Sequence, residues 1–159
     1  IPEVDGGQKY TLTENNCGRF VDRWVTVKVN EAASPVFLRG IEEMRLPIRH
    51  AEGRFYAGWE DLGRLEREGE IAMQYAETDG ELAGGNYPAN PNGSRMDIAG
   101  VADSSGRVFG LMPHPEAFVS PLQDPDRDLK RRQGNEEGEG DGLKIFKNAV
   151  EFLAGEDFE

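Results

Sequence analysis

The chain has 159 residues, 37% apolar and 30% charged, a balance that fits one globular domain with its own core. Its formal net charge of -12 argues against nucleic-acid binding, because phosphate contacts need clustered lysine and arginine. The sequence has no apolar run of about 18 residues, so it predicts no membrane span. The single cysteine, Cys17, excludes an internal disulfide and favours a reducing, cytoplasmic location.

The first half of the chain alternates strand and helix patterns. Apolar and polar residues alternate over 20–29, FVDRWVTVKV, which predicts a half-buried strand. Shorter strands are predicted at 46–50, LPIRH, and at 70–77, EIAMQYAE, with a short helix at 60–68 between them. Residues 80–94 are rich in Asn, Pro and Gly and predict a turn-rich connection.

The second half predicts a hairpin, a loop and a final helix. The hairpin has strands at 98–102 and 107–112, of which the second is apolar and is expected to be buried. Residues 123–140 hold few apolar residues and predict a mobile loop. Apolar residues spaced three and four apart predict a helix over 141–155 that docks on the sheet, with Asp141 as its cap and Gly155 as its terminator.

The stretch VFGLMPHPE, residues 108–116, places a histidine and a carboxylate two positions apart after an apolar strand. The flanking prolines favour extended backbone, so we expect the side chains of His114 and Glu116 to point to the same side. A carboxylate beside an imidazole holds one ring N–H and leaves the other nitrogen as a base toward a nucleophile. Taken alone, such a pair is more commonly a loop histidine beside a solvated glutamate.

Four segments, in this order, carry a resemblance to a known family. LTENNCGRFVDRWVTVKV is similar to the family pattern N-x-S-G-R-F-x-x-R-W, and LPIRHAEGRFYA is similar to I-P-I-A-H-G-E-G-R-F. NPNGS with the IAG that follows it, and GLMPHPE, complete the set. The chain thus resembles the class I, triad-type glutamine amidotransferases, and most of all the glutaminase component of phosphoribosylformylglycinamidine synthase.

The resemblance implies roles for individual residues. In this family a cysteine attacks the side-chain amide carbon of glutamine, a histidine relays protons and a glutamate orients the histidine. By motif match, His114 is the expected general base and acid, and Glu116 is the residue that orients it. The segment Arg49, His50, Ala51 and Glu52 matches the part of related enzymes that lines the glutamine pocket, so these four are expected substrate-binding residues. Ala51 stands where the family usually has glycine, and Arg49 where it usually has a small residue.

Cys17 does not match the expected nucleophile. That cysteine should sit in a G-x-C-x-G turn after a strand, whereas Asn15 and Arg19 flank Cys17 at two positions on either side. The chain also begins IPEVDGG, without an initiator methionine or a leading strand. We therefore expect a single, partial domain over residues 1–159. Its expected fold is α/β, of the flavodoxin-like three-layer class I amidotransferase type, without the N-terminal βα units and their nucleophile, and inactive by itself.

The resemblance further implies a partnership. The domain would hydrolyse glutamine and supply ammonia to a synthetase subunit or domain of the same enzyme, which forms an amidine on formylglycinamide ribonucleotide. ATP and magnesium are expected on that partner, and no cofactor or metal in this chain. An exposed sheet edge would permit self-association. The alternative is a non-catalytic amidotransferase-like module that docks on a partner protein, which the missing nucleophile favours and the retained His114 and Glu116 disfavour.

Overall fold

The computed structural model describes residues 8–33, 35–134 and 138–155. Within those ranges, the strands and helices are β1 Tyr10–Thr13, β2 Val21–Val29, β3 Glu43–His50, β4 Arg54–Ala57, α1 Trp59–Arg67, β5 Ile71–Ala76, β6 Ile98–Ala102, β7 Phe109–Leu111, α2 Arg127–Arg132 and α3 Leu143–Ala154. The longest of these helices, α3, has 12 residues, and no helix in the described ranges has the length and apolar content to cross a membrane.

Five strands form one sheet in the order β3-β2-β5-β6-β7, and β1 pairs with β4 in a separate two-stranded sheet. All of these pairings are antiparallel. In the register of β2 with β3, Val21 lies opposite His50 and Trp24 lies opposite Pro47. Antiparallel neighbours need only short connections, so no long crossover helix is required between them.

The core follows from the alternation of side chains along these strands. The inward-facing residues of β2, β3 and β5 form the main cluster, which includes Val25, Val27, Leu46, Ile48, Met73 and Tyr75. A second cluster joins Leu62 and Leu65 of α1 to Phe55, Ile71 and Ile98. Burial of each such leucine contributes about 1.5–3 kcal/mol, so α1 is held to the sheet mainly by these two side chains.

The predicted strands at 20–29 and 70–77 and the helix at 60–68 are present with ends shifted by one residue, and the α/β class is confirmed. Strand β3 begins earlier than predicted, at Glu43. The prediction of a buried strand over 107–112 is wrong, because β7 has three residues and is half exposed. It pairs only with β6 and forms an edge of the sheet in the described part of the chain.

The chain after β7 joins the two edges of the main sheet. The N–H of Met112 donates to Ala99 O at 2.9 Å, and the N–H of His114 donates to Pro47 O on the opposite edge strand, β3, at 2.8 Å. A single short segment spans both edges only if the sheet curls. This curl brings the end of β3 close to the segment that carries His114.

The loop predicted over 123–140 contains a helix, α2, so the expectation is wrong for residues 127–132. Charged groups rather than apolar ones anchor this region. The carboxylate of Asp124, 6% exposed, accepts from Lys130 Nζ at 2.6 Å and lies 3.6 Å from a guanidinium nitrogen of Arg45. The loop prediction rested on the low number of apolar residues, which gives no information about such charged contacts. Residues 135–137 of the predicted loop lie outside the described residues.

Helix α3 lies within the predicted range and ends at Gly155, whose φ of 70° is left-handed. The predicted cap is wrong, because Gly142 occupies the cap position and the Asp141 carboxylate accepts from the N–H of Arg45. The helix docks through Ile145 and Asn148, which are buried, whereas three of its apolar side chains are exposed: Phe146, Val150 and Leu153.

Candidate active site

His114 and Glu116 form a hydrogen-bonded pair at the end of the chain segment that leaves β7. The distance from His114 Nδ1 to Glu116 Oε1 is 2.7 Å, and the His114 side chain is 37% exposed. The predicted contact is present, but its geometry differs from an extended segment. His114 is extended, whereas Pro115–Ala117 forms a 3-10 turn in which the N–H of Phe118 donates to Pro115 O. The turn folds the carboxylate back onto the ring.

The start of α3 packs directly against this turn. A Cβ added to Gly142 would come within 2.0 Å of Pro115 O, and one added to Gly140 within 2.4 Å of Phe118 O. The N–H of Gly142 also donates to Phe118 O at 2.9 Å. Both glycines brace the turn by allowing this close approach. Sequence reasoning missed them; the only signal is the alternation of glycine with acids in EGEGDG.

The pair lies on the rim of an apolar groove of about 400 Å³. Its walls combine the end of β7, the turn, one side of α3 and a phenylalanine from the 3-10 turn between β2 and β3: Phe37, Phe109, Leu111, Pro113, His114, Pro115, Glu116, Ile145, Phe146 and Ala149. A second polypeptide segment that fills an apolar groove displaces water, and electrostatic interactions at its rim then become stronger. The groove is therefore a surface beside His114 and Glu116 on which another polypeptide segment could pack.

His50 ends β3 and is buried, with 8% of its surface exposed. Its Nδ1 lies 3.0 Å from Asn15 Oδ1. The pKa of the His50 imidazole is lowered from its ordinary value of 6.5, chiefly by burial and also by repulsion from a protonated His114, while a hydrogen bond with its own backbone opposes the shift. His50 is therefore a neutral imidazole near pH 7, and a positive charge on His114 would disfavour its protonation further.

The other three predicted substrate-binding residues are exposed. Arg49 points away from the core, with its Nε 3.8 Å from Asp22 Oδ1 on β2. Ala51 and Glu52 form the bend after β3, and Ala51 O accepts from the N–H of Asn15. Within the described ranges, the N–H groups of Ala51 and Glu52 have no acceptor. The structure thus brings His50 toward His114 and leaves Arg49 beside Asp22.

The NPNGS segment is buried and polar, which its turn-forming sequence alone does not reveal. Asn92 Nδ2 donates to Gly53 O at 2.8 Å and to the Tyr75 hydroxyl at 3.1 Å. The Ser94 hydroxyl accepts from the N–H of Phe55 at 2.9 Å. Burial raises the pKa of the Tyr75 hydroxyl, so this group stays neutral. The segment therefore holds the chain from Gly53 to Phe55 in place.

The carboxylate of a residue with a left-handed backbone, Asp97, holds that segment in place. Asp97 has a φ of 55°, a left-handed conformation that is rare for residues other than glycine. Its buried carboxylate accepts from the N–H groups of Gly84 at 2.8 Å and Gly85 at 2.9 Å, and from Asn90 Nδ2 at 2.8 Å. Three donors converging on one carboxylate offset the cost of the backbone conformation.

Cys17 is exposed, and its thiol donates to Arg19 O at 3.5 Å rather than to His114 or His50. The structure thus gives it no role beside the histidine–glutamate pair. Among the described residues, no group of three or more His, Cys, Asp or Glu side chains is placed to hold a metal ion.

Comparison with known proteins identifies the family. A family model described as the CobB/CobQ-like glutamine amidotransferase domain matches residues 1–153. The chain belongs to this family. The predicted resemblance to class I glutamine amidotransferases is thereby confirmed, together with the α/β fold expected for a member.

Similar members carry one name. Phosphoribosylformylglycinamidine synthase subunit PurQ from Dehalococcoides mccartyi is 48% identical over 146 residues, which cover 92% of this chain and 54% of that protein. The subunit of the same name from Methanococcus maripaludis strain S2 is 39% identical over 160 residues, or 96% of this chain and 58% of that protein. The chain spans a little over half the length of these curated relatives.

A solved structure, PurLQS from Thermotoga maritima, is similar in fold with a TM-score of 0.59 and 29% sequence identity. The similarity covers 93% of this chain and 55% of the matched chain. This protein therefore shares sequence and fold with one chain of the PurLQS structure over nearly all of its own length.

Proposed function

We propose that this chain supplies the histidine–glutamate half of a glutaminase site in phosphoribosylformylglycinamidine synthase. The observation that carries the proposal is the 2.7 Å hydrogen bond between His114 and Glu116 at the rim of an apolar groove. The PurQ relatives, one of which is 48% identical, support the assignment to this synthase. The reaction is the hydrolysis of glutamine to glutamate and ammonia.

Each residue of the pair has a distinct task in this reaction. Glu116 accepts a hydrogen bond from the Nδ1–H of His114, which keeps that proton on Nδ1 and leaves Nε2 free to take the proton of a cysteine thiol. The thiolate attacks the amide carbon of glutamine, and His114 returns the proton to the nitrogen as the C–N bond breaks and ammonia leaves. His114 then removes a proton from water, which attacks the thioester and releases glutamate and the thiol.

The nucleophilic cysteine is proposed to come from protein outside the described residues. Cys17 lies elsewhere, and the curated relatives extend well beyond the length that this chain spans. The groove beside His114 and the exposed apolar residues of α3 are the surface that such a part would cover: Phe146, Val150 and Leu153. A part that buries these side chains could also bring the nucleophilic cysteine to the rim of the groove, next to His114 and Glu116.

Glutamine binding is proposed at the bend after β3. Ala51 and Glu52 are exposed residues whose N–H groups have no acceptor among the described residues and suit the substrate carboxylate, and the buried His50 imidazole supports the bend from behind. Arg49 is the fourth member of the proposed site, and its cation would have to leave Asp22 to reach the same ligand. These roles are assigned from motif match and position together.

The proposed partner is the synthetase component, which would receive the ammonia and hold ATP and magnesium. Support comes from the solved PurLQS structure, one chain of which is similar to this protein over 93% of its length. Self-association through the half-exposed edge strand β7 stays a second prediction, as does a cytoplasmic location.

The deciding experiment compares two nitrogen sources. The complete protein that contains this chain is assembled with its synthetase, and amidine formation is measured with glutamine or with ammonium as the nitrogen donor. His114→Ala should abolish the glutamine-dependent reaction and leave the ammonium-dependent reaction intact, because only the former needs the glutaminase site. Equal glutamine-dependent rates for the unsubstituted protein and the His114→Ala variant would refute the proposal. They would favour a module that only docks on the synthetase.

A further inference from the structure

We propose that Asn15 is a positioning residue for the candidate site: with Asn92 on the other side, it clamps the peptide of Gly53 and fixes the orientation of the His50 imidazole. The pair Asn15 and Asn92 is named the asparagine clamp. The inference rests on the proposed glutaminase function, because it assigns the clamp the task of holding the substrate-binding bend, Ala51 and Glu52.

Asn15 uses every hydrogen-bonding group it has. Its side chain is buried, with 2% of the residue exposed. Its Nδ2 donates to Arg19 O at 2.8 Å and to His50 O at 2.8 Å. Its Oδ1 accepts from the N–H of Gly53 at 3.2 Å and lies 3.0 Å from His50 Nδ1. One amide thus connects the loop before β2, the end of β3 and the bend that follows.

These contacts determine which nitrogen of His50 carries the proton. Carbonyl oxygens only accept and a backbone N–H only donates, so the three backbone partners fix the orientation of the Asn15 amide. Its Oδ1 therefore faces His50 and can only accept, which places the proton on Nδ1. The Nε2 atom then holds a lone pair; it is buried and has no hydrogen-bond partner among the described residues.

Asn92 holds the same bend from the other side. Its Nδ2 donates to Gly53 O at 2.8 Å, so the N–H and the C=O of Gly53 are both bound by buried asparagine side chains from separate loops. Gly53 also has no room for a side chain, because a Cβ there would come within 2.3 Å of the His50 ring. The two hydrogen bonds and the contact with the His50 ring together restrict the position of Gly53.

The clamp matters for function because the bend it holds carries the free N–H groups of Ala51 and Glu52. Backbone donors bind a ligand well only if their directions are fixed before the ligand arrives. The Asn15 side chain acts on the bend through Gly53 and His50, and its main-chain N–H donates to Ala51 O.

The first test is the imidazole ¹⁵N spectrum of this chain at about pH 8, where histidine is mostly neutral. The chain has two histidines, so a His114→Ala variant assigns both sets of signals. We expect His50 to be protonated at Nδ1. Protonation at Nε2 in the unsubstituted chain would overturn the proposal without any substitution at the clamp.

The second test compares variants in the assembled amidotransferase. Asn15→Ala should disturb the His50 tautomer and raise KM for glutamine about 10-fold, with a much smaller change in kcat, because the substrate-binding bend is displaced. Asn15→Asp keeps an acceptor for His50 and Gly53 but loses both donated bonds. It should therefore retain the Nδ1 tautomer and still raise KM.

Asn148→Ala is the matched control. Asn148 is as buried as Asn15 and its Nδ2 also donates to two backbone carbonyls, Phe37 O at 2.8 Å and Arg39 O at 2.9 Å, but it lies on α3. It should lower stability by a similar amount and leave the His50 signals and KM unchanged. Equal changes in KM for the Asn15 and Asn148 variants would reduce the clamp to an ordinary structural contact and overturn the inference.

Failure of the proposed function looks different. If the unsubstituted assembly releases no ammonia from glutamine but the tautomer of His50 responds to Asn15→Ala, the clamp stands as a structural device and the glutaminase assignment falls. If glutamine is hydrolysed and neither the tautomer nor KM responds, the positioning role of Asn15 is wrong and the glutaminase assignment is unaffected.

Discussion

The imidazole ring of His50 lies against the Cα of Gly53, so that a Cβ at position 53 would come within 2.3 Å of two ring atoms. The ring cannot turn aside easily, because His50 is buried and its Nδ1 is bound to Asn15. Space, rather than an unusual backbone angle, requires glycine here.

Gly53→Ala should lower the free energy of unfolding by about 1–3 kcal/mol, the usual cost of forcing an extra methyl into a packed site. Chemical denaturation of this chain measures the change. Gly58→Ala is the control, since the nearest atom to a Cβ there is Asp61 Oδ2 at an ordinary 3.5 Å. Similar losses in the two variants would show that the His50 ring makes room.

Glu116→Gln should reduce glutamine hydrolysis by the assembled enzyme at least about 100-fold, because an amide does not stabilise the imidazolium that forms on His114. The expected change lies in kcat, measured by glutamate release. Glu31→Gln, which neutralises an exposed carboxylate in the turn after β2, should leave kcat unchanged. A Glu116→Gln enzyme with full kcat would remove Glu116 from the mechanism.

Stability should fall as the pH falls below about 6.5, through the lowered pKa of His50. In that range the unfolded chain binds a proton that the folded chain excludes, so protonation favours unfolding; above 6.5 both states are neutral and the contribution is complete. The measurement is the free energy of unfolding between about pH 5 and 7.5 in a His114→Asn background, where His50 is the remaining histidine. A further His50→Asn substitution should flatten this slope, and an unchanged slope would contradict the assignment.

Asp97→Ala should lower the free energy of unfolding by about 3 kcal/mol, because three donors in a buried network lose their acceptor. Asp103→Ala makes a sharp comparison. The Asp103 carboxylate also accepts three bonds, from Ser105 Oγ and the N–H groups of Arg107 and Val108, but in an exposed turn. Water replaces those bonds, so its loss should be clearly smaller in parallel denaturation curves. Equal losses would show that burial is not what makes the Asp97 network matter.

Cys17→Ser should leave glutamine hydrolysis by the assembled enzyme unchanged, because the thiol is exposed and bonds to Arg19 O rather than to the histidine–glutamate pair. Glutamate release before and after the substitution measures this directly. Loss of hydrolysis would make Cys17 the nucleophile and overturn the proposal that the nucleophile lies outside the described residues.

The parts of the fold that the sequence predicts are those governed by apolar periodicity. Strand β2 alternates along its length, and α1 places Leu62 and Leu65 on one side, so both were located to within a residue. The pairing of His114 with Glu116 also follows from the local motif, although the turn that produces it does not. Such features depend on residues near one another in the chain.

The features that escaped prediction depend on distant partners. Asn15 lies in a segment that matches a family pattern, but its partners His50 and Gly53 are brought to it only by the fold. Gly142 belongs to a polar stretch until α3 meets the turn after His114. Helix α2 forms beside a buried Asp124 whose partner Arg45 lies about eighty residues earlier. A buried amide or carboxylate leaves no periodic signal, because its partners are set by tertiary structure.

The asparagine clamp consists of neutral amides, whereas Asp124, Lys130 and Arg45 anchor α2 through opposite charges. Dissolved ions screen attraction between charged groups near the surface but barely affect hydrogen bonds between uncharged ones. Rising ionic strength should therefore loosen the helix that follows Asp124 while the bend beside His50 keeps its shape. The protein thus separates a salt-sensitive region from a salt-tolerant one, and the bend beside His50 lies with the latter.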